Sequence, residues 1–198
     1  MKPKETAGTV GSVHVALLRG VNLGKRRLPM TDLAAMFRDA GCSDVRTYIQ
    51  SGNVVFRAGS TLARRAPGLV SQAIKVRFGF ETPIVTRTAP QLEGVASHNP
   101  FLKAGADPKT LHVMFLMDRP GETRIAGLDP DRSPPDEFAV RGHEVYLLCP
   151  NGLGRSKLTT AYFDSKLRTV GTTRNWNTVL KLLEMTHGGP ERPGSRVR

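Results

Sequence analysis

The chain has 198 residues, 39% hydrophobic and 23% charged, a globular composition with no apolar run near the roughly 20 residues of a membrane helix, which excludes a disordered chain and a helical membrane protein. Its two cysteines, Cys42 and Cys149, exclude a disulfide framework and a cysteine metal site, so a reduced, cytoplasmic setting is expected. Net charge is +12; residues 1–12 contribute +1 and 188–198 contribute +2, and the +9 left on the remainder favours a polyanion as partner beside the plainer reading of a solubility surface.

Residues 1–12 carry lysines with no apolar segment behind them, so they read as a disordered tail and not as a secretory signal. Val13-His-Val-Ala-Leu-Leu18 is strand-like, and Arg19-Gly-Val-Asn-Leu-Gly-Lys-Arg-Arg27 follows as a glycine-bearing basic loop. Over 31–40 the apolar positions 33, 36, 37 and 40 predict a helix, with Gly41 placed as its C-terminal cap. Val45–Gln50 and Asn53–Phe56 read as two strands around a tight turn at Ser51-Gly52. A second helix is expected within 61–78, with Leu69, Val70, Ala73, Ile74 and Phe78 inward and Pro67 opening or kinking it. A fourth strand at 82–87 leads into another helical run, and residues 100–109 form a linker.

The order then repeats. Leu111-His-Val-Met-Phe-Leu116 shares a His-Val pattern with 13–18, 98 positions on. Glu137–Leu147 matches the strand pair, with Gly142 set 90 positions from Gly52, and Thr173-Arg174 matches Thr86-Arg87 at 87. Prolines at 120, 130, 134 and 135 leave the first helix of this copy poorly formed, and residues 118–144 hold seven acids against four arginines. Helices are expected at 156–168, with Leu158, Tyr162, Phe163 and Leu167 inward, and at 175–186, with Trp176, Val179, Leu180 and Leu183 at helical spacing. Residues 188–198 read as a second disordered, basic tail. The fold class expected is α+β, a tandem duplication of a ferredoxin-like split βαβ unit, with antiparallel sheets in two halves at 13–99 and 110–187.

Chemistry concentrates in the loops. Pro150-Asn-Gly-Leu-Gly-Arg-Ser-Lys157 sits between a strand and a helix, where backbone N–H groups and the cations Arg155 and Lys157 suit an anion. It satisfies neither the phosphate-loop nor the dinucleotide spacing, and a Pro-Asn-Gly turn with Ser156 as helix cap explains it equally simply. Candidate ligand-binding residues are Asn151, Gly152, Gly154, Arg155, Ser156 and Lys157 here, and Arg19, Asn22 and Lys25 in the first loop. Ser51 and Asn53 at the turn join them, as do Arg174, Asn175 and Trp176, the last a core anchor or a stacking platform. His14 and His112 fall at matching strand positions and read as structural, and Cys149 reads as a buried strand residue or a thiol near a helix start. The spacings of His143 and His187 fit no metal pattern, no cofactor is expected, and the pattern identifies no catalytic set, which leaves open whether the chain is an enzyme. With the RNP1 consensus absent, a nucleic-acid reading rests on charge and loops.

Four segments together, Leu17–Gly24, Tyr48–Phe56, Asn151–Lys157 and Thr173–Thr178, resemble the bacterial family catalogued as domain of unknown function 1697, from about residue 13 to 186. The resemblance implies an α+β fold of ferredoxin-like character and a cytoplasmic bacterial protein, and it implies no reaction. Two functions stand as expectations: non-catalytic binding of a phosphate-rich partner, most simply nucleic acid, or a small-molecule enzyme holding a phosphorylated or nucleotide-like substrate between the halves.

Overall fold

Strand β1 (Ser12–Leu18) opens the first half, followed by α1 (Met30–Asp39), β2 (Ser43–Tyr48), β3 (Asn53–Ala58), α2 (Ser60–Phe78), β4 (Ile84–Thr88), α3 (Ala89–Ser97) and the short α4 (Pro100–Lys103). The second half runs β5 (Leu111–Leu116), α5 (Glu122–Ala126), β6 (Glu137–Arg141), β7 (Glu144–Leu148), α6 (Thr160–Leu167), β8 (Gly171–Asn175) and α7 (Trp176–His187). These come from a computed structural model that describes residues 11–188. The two expected tails lie outside the described residues, except for Gly11, Ser12 and Gly188. The strands form two antiparallel four-stranded sheets, ordered β2-β3-β1-β4 and β6-β7-β5-β8.

Each central strand is buried on both faces, which is why β1 and β5 are nearly continuous apolar runs. From β1, Ala16 and Leu18 pack under α1 and α2 with Phe37, Val70 and Ile74. From β5, Met114 and Leu116 pack with Leu158, Phe163 and Leu167. The opposite faces meet: Val15, Leu17, Val55 and Val85 share one core with Val113, Phe115 and Tyr146, completed by Leu92 and Val95 of α3 and Trp176, Val179 and Leu182 of α7. Helix α7 packs against β1 and β3 as well as its own β5 and β8, so this core joins the halves.

The helices follow their apolar spacing with local departures. Pro67 lies inside α2, and the helix begins seven residues before it. Leu69 and Leu180, expected inward, stand 44% and 43% exposed, while their neighbours Val70 and Val179 are the ones fully buried. The proline-rich stretch allows only the five-residue α5. Helix α6 starts at Thr160, capped by the Thr159 side chain and not by Ser156. The reason is local: Ser156 Oγ accepts from Leu158 N at 3.0 Å, and Gly152 to Arg155 close a single tight turn of their own.

Candidate functional site

Two arginines at corresponding strand positions tie the halves together. In β4, Arg87 donates from Nε to Glu144 Oε1 at 2.7 Å and from Nη2 to Leu116 O and His143 O at 2.8 and 3.0 Å. In β8, Arg174 donates from Nε to Asn53 Oδ1 and from Nη2 to Leu18 O and Ser51 O at 2.7 and 3.1 Å. Its Nη1 reaches Thr172 Oγ1 at 2.7 Å and Thr173 O at 2.9 Å. Each arginine thus grips the end of the other half's first strand and the turn beside it. The partners differ in one decisive respect. Arg87 meets a carboxylate, whereas Arg174, 7% exposed, meets only carbonyl, hydroxyl and amide oxygens among the described residues. Burial pulls the Arg174 guanidinium down to about 10, which still leaves it charged at neutral pH.

A cavity of about 320 Å3 opens beside Arg174 and draws its walls from both halves. The first half gives Leu18 to Val21, Leu23 and Ser51; the second gives Thr160, Thr172, Thr173 and Arg174. Arg19 bridges the halves by donating from Nη1 to the Asp164 carboxylate of α6, which also accepts Gly171 N at 2.9 Å. Gly20 and Asn22 adopt positive φ, 66° and 56°. Asn22 holds this loop, its Nδ2 donating to Leu28 O and Gln50 O and its Oδ1 accepting Leu28 N. Ser51 Oγ accepts from Asn53 Nδ2 at 2.8 Å, which leaves its own hydrogen to be donated. Gly52 packs directly against two residues of the lining: at φ 71° a Cβ there would lie 2.7 Å from both Leu18 Cβ and Val21 Cγ2, so only glycine lets the turn approach.

Of the fourteen residues picked from sequence, three line this cavity: Arg19, Ser51 and Arg174. Asn22 and the fully buried Asn53 stand behind it as supports. Lys25 is exposed on the loop beyond. Asn151, Gly152, Gly154, Arg155 and Lys157 are exposed outside the lining, with Ser156 half-buried beside them. Four of that loop's amides turn inward: Gly152 N goes to Cys149 O, Arg155 N to Gly152 O, Ser156 N to Leu153 O and Lys157 N to Ser133 Oγ. Asn175 caps α7 by accepting Thr178 N at 2.8 Å, and Trp176 is 2% exposed within the shared core, with no face open for stacking. The threonines at 160, 172 and 173 were not legible as lining residues of a shared cavity, because each is an ordinary residue for a helix start or an edge strand.

The cysteines and the two strand histidines are sheltered, whereas His98, His143 and His187 are exposed. Cys149 is fully buried and burial pushes its thiol up to about 11, which leaves almost no thiolate at neutral pH. His14 pairs with Thr88 and His112 with Asn175, the two residues that cap α3 and α7. Burial lowers both imidazoles below their ordinary range. Among the described residues no group of three His, Cys, Asp or Glu could hold a metal ion, and no helix is long and apolar enough to cross a membrane.

The family model DUF1697, described as a protein of unknown function, matches residues 12–146. The match ends within β7, short of the 151–157 loop and of Arg174. The solved structure of the conserved bacterial protein SP0830 from Streptococcus pneumoniae is similar in fold, with a TM-score of 0.69 at 17% identity, covering 90% of this chain and 99% of that one. No curated protein matches the chain.

Proposed function

We propose that this chain, which belongs to the DUF1697 family, is a binding protein that seats a small oxyanionic ligand, such as a phosphate ester, in the cleft between its halves. The observation that carries this reading is the buried Arg174 guanidinium, without a carboxylate partner, in the wall of a 320 Å3 cavity. A buried cation is costly until an opposite charge approaches. The surroundings are suited to receive one: Arg19 at the rim, a free Ser51 hydrogen, and the Thr160 and Thr173 hydroxyls 3.4 Å apart. The lining holds no imidazole, thiol or carboxylate, which favours binding over acid–base catalysis. An enzyme using this cleft would rely on it for positioning alone.

The architecture fits the same proposal. Identical strand orders, the two reciprocal arginines and the matched histidines support a duplicated ferredoxin-like unit. On that reading, the ligand site lies on one of the two junctions that duplication creates. A cytoplasmic setting accords with the two reduced, buried cysteines.

A second reading, nucleic-acid binding, is favoured by the exposed cations Lys25, Arg27, Arg155 and Lys157 and the +9 of residues 13–187. Thermal-shift titration separates the two with sugar phosphates, nucleotides and short DNA and RNA at two salt concentrations. Stabilisation by one small phosphate that survives added salt supports the cleft. Stabilisation by polynucleotides alone, lost steeply with salt, overturns it in favour of the second reading.

A further inference from the structure

Resting on the reading of the cleft as an oxyanion site, we infer that Asn53 sets its charge specificity. The other junction supplies the comparison. Asn53 pairs with Leu17 in the first sheet, and Glu144 pairs with Phe115 in the second. Both side chains take the Nε hydrogen of the arginine arriving from the opposite half. At one junction the acceptor is a carboxylate and the charge is cancelled. At the other it is an amide, and one positive charge is left in the cleft wall.

Asn53 has a second effect that a carboxylate would reverse. It is fully buried, and its Nδ2 donates to Tyr48 O at 3.1 Å and to Ser51 Oγ at 2.8 Å. By occupying a lone pair of Ser51, the amide leaves that hydroxyl to act as a donor in the cavity. An aspartate in its place would accept the Ser51 hydrogen and turn the hydroxyl into an acceptor. Asn53 touches no ligand itself. It is a positioning residue that keeps the guanidinium charged and unneutralised and the serine donating, and both features select an anion. All the Arg174 N–H groups are already engaged with protein oxygens, so the arginine acts on the ligand through its field. Direct hydrogen bonds come from Ser51, Arg19 and the Thr160–Thr173 hydroxyl pair, the Thr172 hydroxyl being spent on Leu18 O at 3.2 Å. Ligands sharing an oxyanion, whether phosphate ester or carboxylate, are therefore attracted alike, and cavity shape separates them.

The test titrates inorganic phosphate into the full chain by calorimetry, with Asn53→Asp compared and circular dichroism recording the fold. The expected result is a fall in affinity of about tenfold or more, since a unit charge within several ångströms outweighs that factor even at the effective dielectric of a protein surface. Wild-type binding matched by a folded Asn53→Asp overturns this inference and leaves the cleft reading standing. No wild-type binding of phosphate, sugar phosphates or carboxylates overturns the cleft reading itself. Should Asn53→Asp not fold, the arginine Nε–Hε resonances of the wild type decide. Movement of the Arg174 resonance with phosphate while that of Arg87 stays still supports the inference, and phosphate binding that moves neither overturns it.

Discussion

Replacing Glu144 with alanine removes the one carboxylate among the described residues that faces the Arg87 guanidinium, which is 6% exposed on its side chain against 14% for Glu144. One N–H loses its acceptor, at roughly 1–3 kcal/mol, and the cation is left in a poorly solvated place. Breaking a buried pair from one side costs about 3–5 kcal/mol. Arg87 keeps the Thr86, Leu116 and His143 carbonyls and the Phe115 ring 5.6 Å away. Arg174 sits in the same kind of carbonyl cage with no carboxylate among the described residues. The low end therefore applies, about 3 kcal/mol, which for a chain of this size lowers Tm by about 6–12 °C. Glu144→Gln retains an oxygen for Nε and reproduces the Asn53 arrangement, so it should cost about half as much. Urea denaturation with a common m-value measures both. A Glu144→Ala protein within about 0.5 kcal/mol of wild type, or a glutamine variant no milder than alanine, refutes the reasoning.

Asp164→Asn should release Arg19 from its carboxylate while leaving an oxygen for Gly171 N, raising phosphate affinity about threefold or more in calorimetry. The pair is only partly buried, so losing its charge should cost about 1 kcal/mol, and Tm should stay within about 4 °C. Stability should fall on acidification below about pH 6.5. His14 and His112 are held below their ordinary pKa by burial, so the unfolded chain binds protons there that the folded chain refuses, and that stability is present above the unfolded pKa and lost as pH falls through the folded values. A Tm between pH 5 and 7.5 that is flat, or that His14→Gln leaves just as steep, contradicts this. Cys149 should resist a thiol reagent at pH 7.5 until the protein unfolds; rapid labelling of the native chain would mean that its thiol is accessible after all.

Much of the fold was readable because it rests on local pattern. The alternating and continuous apolar runs placed seven of the eight strands, the repeat of Thr86-Arg87 at Thr173-Arg174 pointed to β8, whose Gly-Thr-Thr-Arg-Asn has no apolar run, and Gly41 marked the end of α1, where its φ is 98°. Leu69 and Leu180 were misplaced because a helix buried along a narrow stripe leaves some apolar positions outside, and spacing alone cannot say which. The cleft was legible only in part. Arg19, Ser51 and Arg174 stood out as cations and polar turn residues, but the 151–157 loop drew more attention. Its glycines and cations resemble an anion loop in sequence, and only the structure reveals that four of its amides bond to Cys149, Gly152, Leu153 and Ser133. The pairing of Arg174 with Asn53 spans 121 positions, a distance over which sequence pattern carries no signal.

Amide chemical-shift mapping of the 15N-labelled chain during titration with inorganic phosphate tests the central claim most directly. The account predicts the largest changes at Gly20, Val21, Ser51, Thr160 and Thr173, with Asn151 to Lys157 little affected. Changes centred on Asn151 to Lys157, or spread over the exposed lysines and arginines with the cleft silent, would contradict it.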